Sequence, residues 1–313
     1  MLSSFQILLP VFGLVFVGFA CRRCGVLGPS AASELNRFVV WLALPALLFD
    51  ITAHATWQQF YQPAFIAVFA LASGGVFVLI LILRILSGRH LADASVDAIA
   101  ASYPNTGYVG FPLCMIVFGT ASLTATTIAT ILVTCVLFAL AIVLIEAGLQ
   151  TERTPHKLGL AVVRSLARNP LIVSPMAGAL VASTHVTVPQ SVETFLKLLS
   201  GAASPCALVC LGLFLAEKRP ATIARRGSLL LTGSKLLLHP VLTWWLAARV
   251  FALPLALVQI AVLLAALPTG TGPFMLAEFY QREAHITSRT ILLSTLGSLV
   301  SLSFLLFYMP HNR

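Results

Sequence analysis

Long apolar runs separated by short polar connections make up almost the whole chain. A helix needs about 20 mostly apolar residues to cross roughly 30 Å of hydrocarbon, and runs of that length recur from one end of the sequence to the other. The pattern predicts an all-α polytopic membrane protein with ten transmembrane helices. The predicted ranges are roughly 3–21, 35–54, 63–84, 97–118, 122–147, 169–185, 194–216, 229–251, 256–280 and 288–309.

Basic residues concentrate in alternate connections between these helices. The odd-numbered connections carry Arg22 and Arg23; Arg84 and Arg89; Arg153, Lys157, Arg164 and Arg168; Lys218, Arg219, Arg225 and Arg226; and Arg282 and Arg289. The even-numbered ones are nearly free of Lys and Arg, with Arg249 as the exception near such an edge. Because basic loops stay in the cytoplasm, both termini are expected outside. The short chain and loops favour a bacterial inner membrane.

Composition excludes several classes of function. Hydrophobic residues make up 59% of the chain and charged residues 9%, against about 25% charged in a soluble domain. The net charge of +9 follows the loops, so we expect a lipid bilayer as partner and no nucleic acid. The sequence contains no hydrolase, zinc-protease or nucleotide-binding motif and no metal-ligand spacing, so we expect no enzyme, cofactor or metal.

Proline- and glycine-interrupted segments recur five predicted helices apart. Tyr103–Pro112 in the fourth helix matches Leu267–Phe274 in the ninth, and Leu44–Phe49 in the second matches Ser204–Val209 in the seventh. Five is odd, so the second half enters the membrane upside down. This inverted-topology repeat is a frequent plan of secondary transporters, and it predicts five-helix repeats over residues 1–150 and 151–313.

The interrupted fourth and ninth helices predict an anion site near the membrane midplane. Proline removes an N–H donor and glycine tolerates the irregular backbone, and such a break survives in hydrocarbon only where it lines a cavity or another helix. Each second half-helix would start with unpaired N–H groups that attract a carboxylate. The candidate substrate-binding residues are Pro104, Asn105, Thr106, Gly107, Pro268, Thr269, Gly270 and Thr271. The alternative is that these prolines only kink packed helices.

Ionisable residues within the predicted helices are a second set of candidates, because charge is expensive in lipid and usually functional there. Lys235 and His239 are four residues apart and share one helix face, where they would supply positive potential or handle protons. Asp50 and Glu278 are further candidates for charge coupling. Alternatively, Lys235 snorkels to the interface and both carboxylates are interfacial.

The chain resembles the auxin efflux carrier family, which includes plant auxin carriers and bacterial malonate-type transporters. The resemblance is carried by Pro104–Pro112 and Ala265–Tyr280, with support from Leu44–Phe49 and Lys235–Pro240. It implies a five-plus-five inverted repeat, crossed fourth and ninth helices that hold an organic anion, an elevator-like movement of a transport domain against a scaffold, and a homodimer. It also implies that Asn105 lines the pocket.

Two departures from the family pattern matter. Thr269, not Asn, follows the second proline, so a second amide contact is in doubt, and the long cytoplasmic loop of the plant carriers is missing. The sequence predicts a secondary transporter for a small carboxylate, malonate-like or auxin-like. One alternative is a sodium-coupled symporter that uses Thr106, Thr269 and Thr271, and another is a membrane receptor or sensor. The substrate, the direction of transport and the coupling ion stay open.

Overall fold

Helices form nearly all of the regular structure in the computed structural model, which describes residues 2–54, 60–149, 167–168, 170–184, 188–216 and 225–309. The first six helices are α1 Leu2–Arg23, α2 Ala31–Ala53, α3 Pro63–Leu86, α4 Leu91–Ser102, α5 Thr106–Phe118 and α6 Thr120–Leu149. The next six are α7 Pro170–Thr184, α8 Gln190–Leu215, α9 225–250, α10 Leu255–Ala266, α11 Gly272–Phe279 and α12 Ala284–Tyr308.

Five of the described helices, α2, α3, α6, α8 and α12, are long and apolar enough to cross a membrane. Exposed apolar side chains on them, such as Trp41, Leu198 and Val300, suit these helices to lipid. The expectation of an all-helical membrane protein is confirmed at this level. The total of ten spans, the inverted repeat and the orientation stay predictions; the basic residues Arg153, Lys157, Arg164, Lys218 and Arg219 lie outside the described residues.

Several prolines lie inside helices without ending them. Three π-helical turns each end two residues before a proline: Val39–Ala43 before Pro45, Thr106–Gly110 before Pro112, and Ser234–Leu238 before Pro240. A proline ring clashes with the carbonyl one turn back, and a π turn widens the helix at that point. These helices therefore continue through their prolines. The predicted interruptions of the second and seventh helices are wrong, because α2 contains Pro45 and α8 contains Pro205 without leaving the helix.

The described residues group into two compact units by their contacts. The first comprises residues within Met1–Gln62, Gly107–Ile128 and Ala167–Lys218, and the second those within Pro63–Thr106, Ala129–Leu166 and Arg219–Arg313. Each unit takes segments from both halves of the chain. The repeat boundaries at 1–150 and 151–313 concern symmetry rather than contacts, and they stay a prediction.

Close backbone packing holds the first unit together. Helix α1 lies along α8, and an added Cβ at Gly212 would stand 1.9 Å from the carbonyl oxygen of Val15. At the other end of the unit, the His54 ring follows α2 and its Nε2 lies 2.9 Å from Oε1 of Glu193 in α8. This contact joins the end of α2 to the start of α8.

In the second unit, Arg84 in the last turn of α3 and Arg282 in the connection after α11 hold the first two turns of α4. Arg84 Nε donates to the buried Asp97 carboxylate at 2.7 Å, and Arg282 Nε donates to Asp93 at 2.8 Å. Gln281, which has a φ of 51°, lets the Arg282 N–H cap α11 by donating to Ala277 O at 2.8 Å. The cap directs Arg282 toward α4.

Candidate functional site

The two helix breaks cross each other inside the second unit. The chain leaves the helix between α4 and α5 and again between α10 and α11, and Pro104 pairs with Thr269 in an isolated antiparallel bridge. The Asn105 N–H donates to Pro268 O at 2.9 Å, and the Gly270 N–H donates to Tyr103 O at 3.1 Å. The predicted breaks of the fourth and ninth helices are therefore present, and they contact each other directly.

Local sequence explains where the helices stop. The residue before a proline is pushed out of the helical region, and Tyr103 and Leu267 have extended ψ angles of 93° and 152°. Gly270 and Gly272 then let the second break approach the Tyr103 ring. An added Cβ at either glycine would lie 2.9 Å from a ring carbon.

Several N–H groups at the crossing are hydrogen-bonded within the protein. In addition to the two bridge donors, the Thr106 N–H donates to Pro104 O at 2.8 Å and the Thr269 N–H donates to Ser294 Oγ at 3.0 Å. The expectation of unpaired N–H groups is wrong for these positions. Among the hydrogen bonds of the described residues, none uses the N–H groups of Thr271 and Gly272, which open α11.

Thr269 is completely buried and bonded on two sides. Its hydroxyl donates to Ala100 O in the last turn of α4 at 2.9 Å, while its N–H reaches Ser294 in α12. Asn105 and Thr106 are also buried, with 4% and 2% of their surfaces exposed. Gly107 is grouped with the first unit, where an added Cβ would lie 3.6 Å from the Leu44 side chain.

Lys235 lies in the π-helical turn of α9 and is completely buried. Its Nζ donates to Ala265 O, in the last turn of α10, at 2.5 Å. A cation is favourable at this end of a helix, where the backbone dipole is negative. No carboxylate of the described residues lies within 4 Å of the ammonium. The snorkelling alternative is wrong, because the side chain does not reach the surface.

His239 is also fully buried, one turn beyond Lys235 in the second unit. Its Nε2 lies 3.1 Å from Ser73 Oγ in α3, and its ring centroid lies 6.1 Å from that of Phe69. Within the described residues, Nδ1 has no hydrogen-bond partner. His239 Nε2 therefore shares a hydrogen bond with the Ser73 hydroxyl, and Nδ1 is available to another polar group.

Of the remaining two candidates, Asp50 is not brought to this cluster. Asp50 belongs to the first unit, where its carboxylate lies 3.3 Å from Nδ1 of His54. Glu278 lies in α11, and its side chain is outside the part that the structure describes.

Sequence reasoning missed Ser294, Ser73 and Ala265. Ser294 belongs to a row of buried hydroxyl residues on α12 that also includes Thr287, Thr290, Thr295 and Ser298. Such a row is unusual for the lipid face of a membrane helix and could have pointed to a polar contact. Ala265 contributes only a backbone carbonyl, so its side chain carries no signal.

Comparisons with known proteins place the whole chain among transporters. A family model described as membrane transport protein matches residues 3–306. The chain is 31% identical over 306 residues to the "Putative malonate transporter" of Rhizobium meliloti (strain 1021), covering 96% of this chain and 94% of that protein. An uncharacterized transporter of Methanothermobacter thermautotrophicus is 27% identical, with 96% and 97% covered. Auxin efflux carrier component 3a of Oryza sativa subsp. japonica is 33% identical over 153 residues, which are 46% of this chain and 24% of that carrier.

Proposed function

The chain belongs to the membrane transport protein family, the auxin efflux carrier family that its sequence resembles, and we propose that it is a secondary carrier for a small organic carboxylate, malonate-like or auxin-like. It is a membrane transporter and not an enzyme. The observation that carries the proposal is the buried ammonium of Lys235, which lies beside the crossed breaks without a carboxylate within 4 Å among the described residues.

A buried cation calls for an anion. An uncompensated charge in a low-dielectric interior is strongly destabilising, and Ala265 O supplies only a dipole. A substrate carboxylate would supply the missing negative charge. The N–H groups of Thr271 and Gly272 are the donors that the crossing leaves to such a ligand, and they open a helix whose dipole also favours an anion.

The relatives support the same substrate class. One is named for malonate and another for auxin, and both compounds are carboxylate anions at neutral pH. Asn105 stands next to the first crossing proline, the position that the family resemblance connects with the pocket. Of the residues expected from the sequence, Pro104, Asn105, Thr106, Gly107, Pro268, Gly270 and Thr271 remain the proposed substrate-binding residues. Thr269 is proposed to support them, because its N–H and its hydroxyl are both bonded within the protein.

An elevator-type mechanism is part of the proposal. The two breaks, Lys235 and His239 all belong to the second unit, so this unit would carry the site while the first serves as the scaffold. Alternating access then exposes the same site to each side of the membrane in turn. A homodimer in a bacterial inner membrane, with both termini outside, completes the proposal.

The sodium-coupled alternative finds less support at the crossing. Sodium in such carriers is held by unwound carbonyls and by hydroxyl oxygens. The Ala265 carbonyl already accepts from the Lys235 Nζ, and the positive charge of an ammonium there would repel a second cation at the crossing. We therefore propose that charge compensation comes from Lys235, with His239 as the group for proton handling, rather than from a bound sodium ion.

A thermal-shift screen of the purified protein against mono- and dicarboxylates, with sodium or with choline, tests this function. A ligand that binds only the folded state raises its stability by mass action. We expect malonate or a related carboxylate to raise the melting temperature equally in both salts, and Asn105→Ala to reduce the effect without changing the melting temperature of the free protein. Stabilisation that needs sodium, or that only uncharged solutes produce, would reject the proposed function.

A further inference from the structure

Side-chain hydrogen bonds fasten the second helix break to three helices, α4, α9 and α12. Lys235 of α9 holds Ala265 O before the break, the Thr269 hydroxyl holds Ala100 O of α4, and Ser294 Oγ of α12 accepts the Thr269 N–H at 3.0 Å. Thr269 and Ser294 are both completely buried. The bridge itself contributes only two backbone hydrogen bonds.

Ser294 Oγ can accept a hydrogen bond from the Thr269 N–H because its own proton is donated to another group. Its hydroxyl donates to Ile291 O, one turn back in α12, at 3.2 Å. This bond turns an Oγ lone pair toward the break, where it accepts the Thr269 N–H. A buried N–H without a partner is strongly unfavourable, so Ser294 favours the conformation in which Thr269 faces α12.

We infer that Ser294 is a positioning residue for the substrate site and that Thr269 acts as its fastening point rather than as a ligand contact. The inference rests on the proposed function, because it assigns a role in the same site. With Thr269 held on both sides, the residues that follow it begin α11 in one fixed direction. The N–H groups of Thr271 and Gly272 are thereby aimed before the substrate arrives.

The helix offers a closely matched control. Ser298 lies one turn further along α12, is completely buried, and donates to Thr295 O at 2.8 Å as Ser294 donates to Ile291 O. Replacing either serine by alanine removes the same kind of local bond. Of the two changes, Ser294→Ala also removes the acceptor of the Thr269 N–H.

Two readouts on Ser294→Ala, Ser298→Ala and Ser294→Thr test the inference. The first is hydrogen–deuterium exchange of the peptide covering residues 267–272 in the protein without ligand. We expect exchange of the Thr269 amide to rise roughly five-fold in Ser294→Ala, the effect of losing one hydrogen bond, and to stay unchanged in Ser298→Ala. Ser294→Thr keeps the hydroxyl and should restore the wild-type rate.

The second readout is malonate uptake into proteoliposomes, normalised to folded carrier. We expect Ser294→Ala to raise the KM roughly five-fold with little change in maximal rate, and Ser294→Thr to restore it. Unchanged exchange in Ser294→Ala, or equal KM values in the two alanine variants, would overturn the inference. If the wild type takes up no malonate, the proposed substrate is wrong, while the exchange experiment still decides whether Ser294 fixes the break.

Discussion

Replacement of Lys235 by methionine separates the charge of this residue from its packing. Methionine keeps an unbranched chain of similar length but has no charge and no hydrogen-bond donor. The variant therefore removes the buried ammonium and its 2.5 Å bond to Ala265 O. If Lys235 pairs with the substrate, the change should affect the free and the loaded carrier in opposite directions.

The free carrier should become no less stable. An uncompensated buried charge destabilises a protein by about 3–5 kcal/mol. Loss of the hydrogen bond leaves the Ala265 carbonyl unsatisfied, which costs about 1–3 kcal/mol. The difference is a net gain of about 2 kcal/mol for Lys235→Met in the absence of ligand.

The loaded carrier should lose affinity. Removing one partner of a buried, hydrogen-bonded charge pair costs about 2–5 kcal/mol of binding free energy. Because each 1.4 kcal/mol is a factor of about ten, the Kd for malonate should rise between about 30-fold and about 5,000-fold.

A malonate titration followed by thermal unfolding measures both effects. At a malonate concentration of about 100 times the wild-type Kd, the wild type should gain about 2.7 kcal/mol, and Lys235→Met should gain no more than about 0.9 kcal/mol. Lys197→Met is the matched control, since Lys197 lies on α8 with 62% of its side chain exposed. It should keep the full malonate response. A Lys235→Met variant that is less stable without ligand but keeps the malonate response would refute the reasoning and make Lys235 only a cap for α10.

Three further predictions concern stability, each read from thermal unfolding of the protein without ligand. Gly212→Ala should lower stability by about 1–3 kcal/mol through overpacking against Val15, whereas Gly13→Ala, with open space around it, should not; equal effects would contradict the packing. Gln281→Gly should raise stability by about 1 kcal/mol because it relieves a left-handed backbone, and a loss would show that the side chain matters more. The hydrogen bond to the Asp50 carbonyl and then that to Glu193 raise the pKa of His54 above its ordinary value. His54 therefore makes its full contribution to the free energy of unfolding below about pH 6.5, and this contribution is lost as the pH rises through the higher folded-state pKa. His54→Ala should flatten the dependence of stability on pH in this range. An unchanged dependence would exclude His54 as its source.

The positions of the two true breaks could be predicted from the sequence because their cause is local. Pro104 and Pro268 exclude the helical conformation from the residue before them, and the glycines after Pro268 tolerate close contact with Tyr103. Pro45 and Pro205 carry the same local signal but do not end their helices. A π turn absorbs Pro45, and whether a helix widens or stops depends on packing that a local pattern does not contain.

The hydrogen bonds of the site could not be predicted in the same way. Counting free N–H groups after each proline treats a half-helix as isolated, whereas the Thr269 N–H meets a serine 25 residues further along the chain. Lys235 similarly meets a carbonyl 30 residues away. Both contacts depend on how α9 and α12 pack against the break. The pattern identified Lys235 as a buried charge but not which group it would contact.

These contacts change which group dominates the attraction for an anion. An unsatisfied N–H group is costly in a membrane, and the crossing satisfies those of Asn105, Thr106, Thr269 and Gly270 within the protein. The backbone is therefore stable whether or not a ligand is present. In the proposed site, Lys235 and the first N–H groups of α11 are the groups left for the substrate. On the proposed function, recognition of the carboxylate therefore depends more on Lys235 than on the backbone N–H groups of the two breaks.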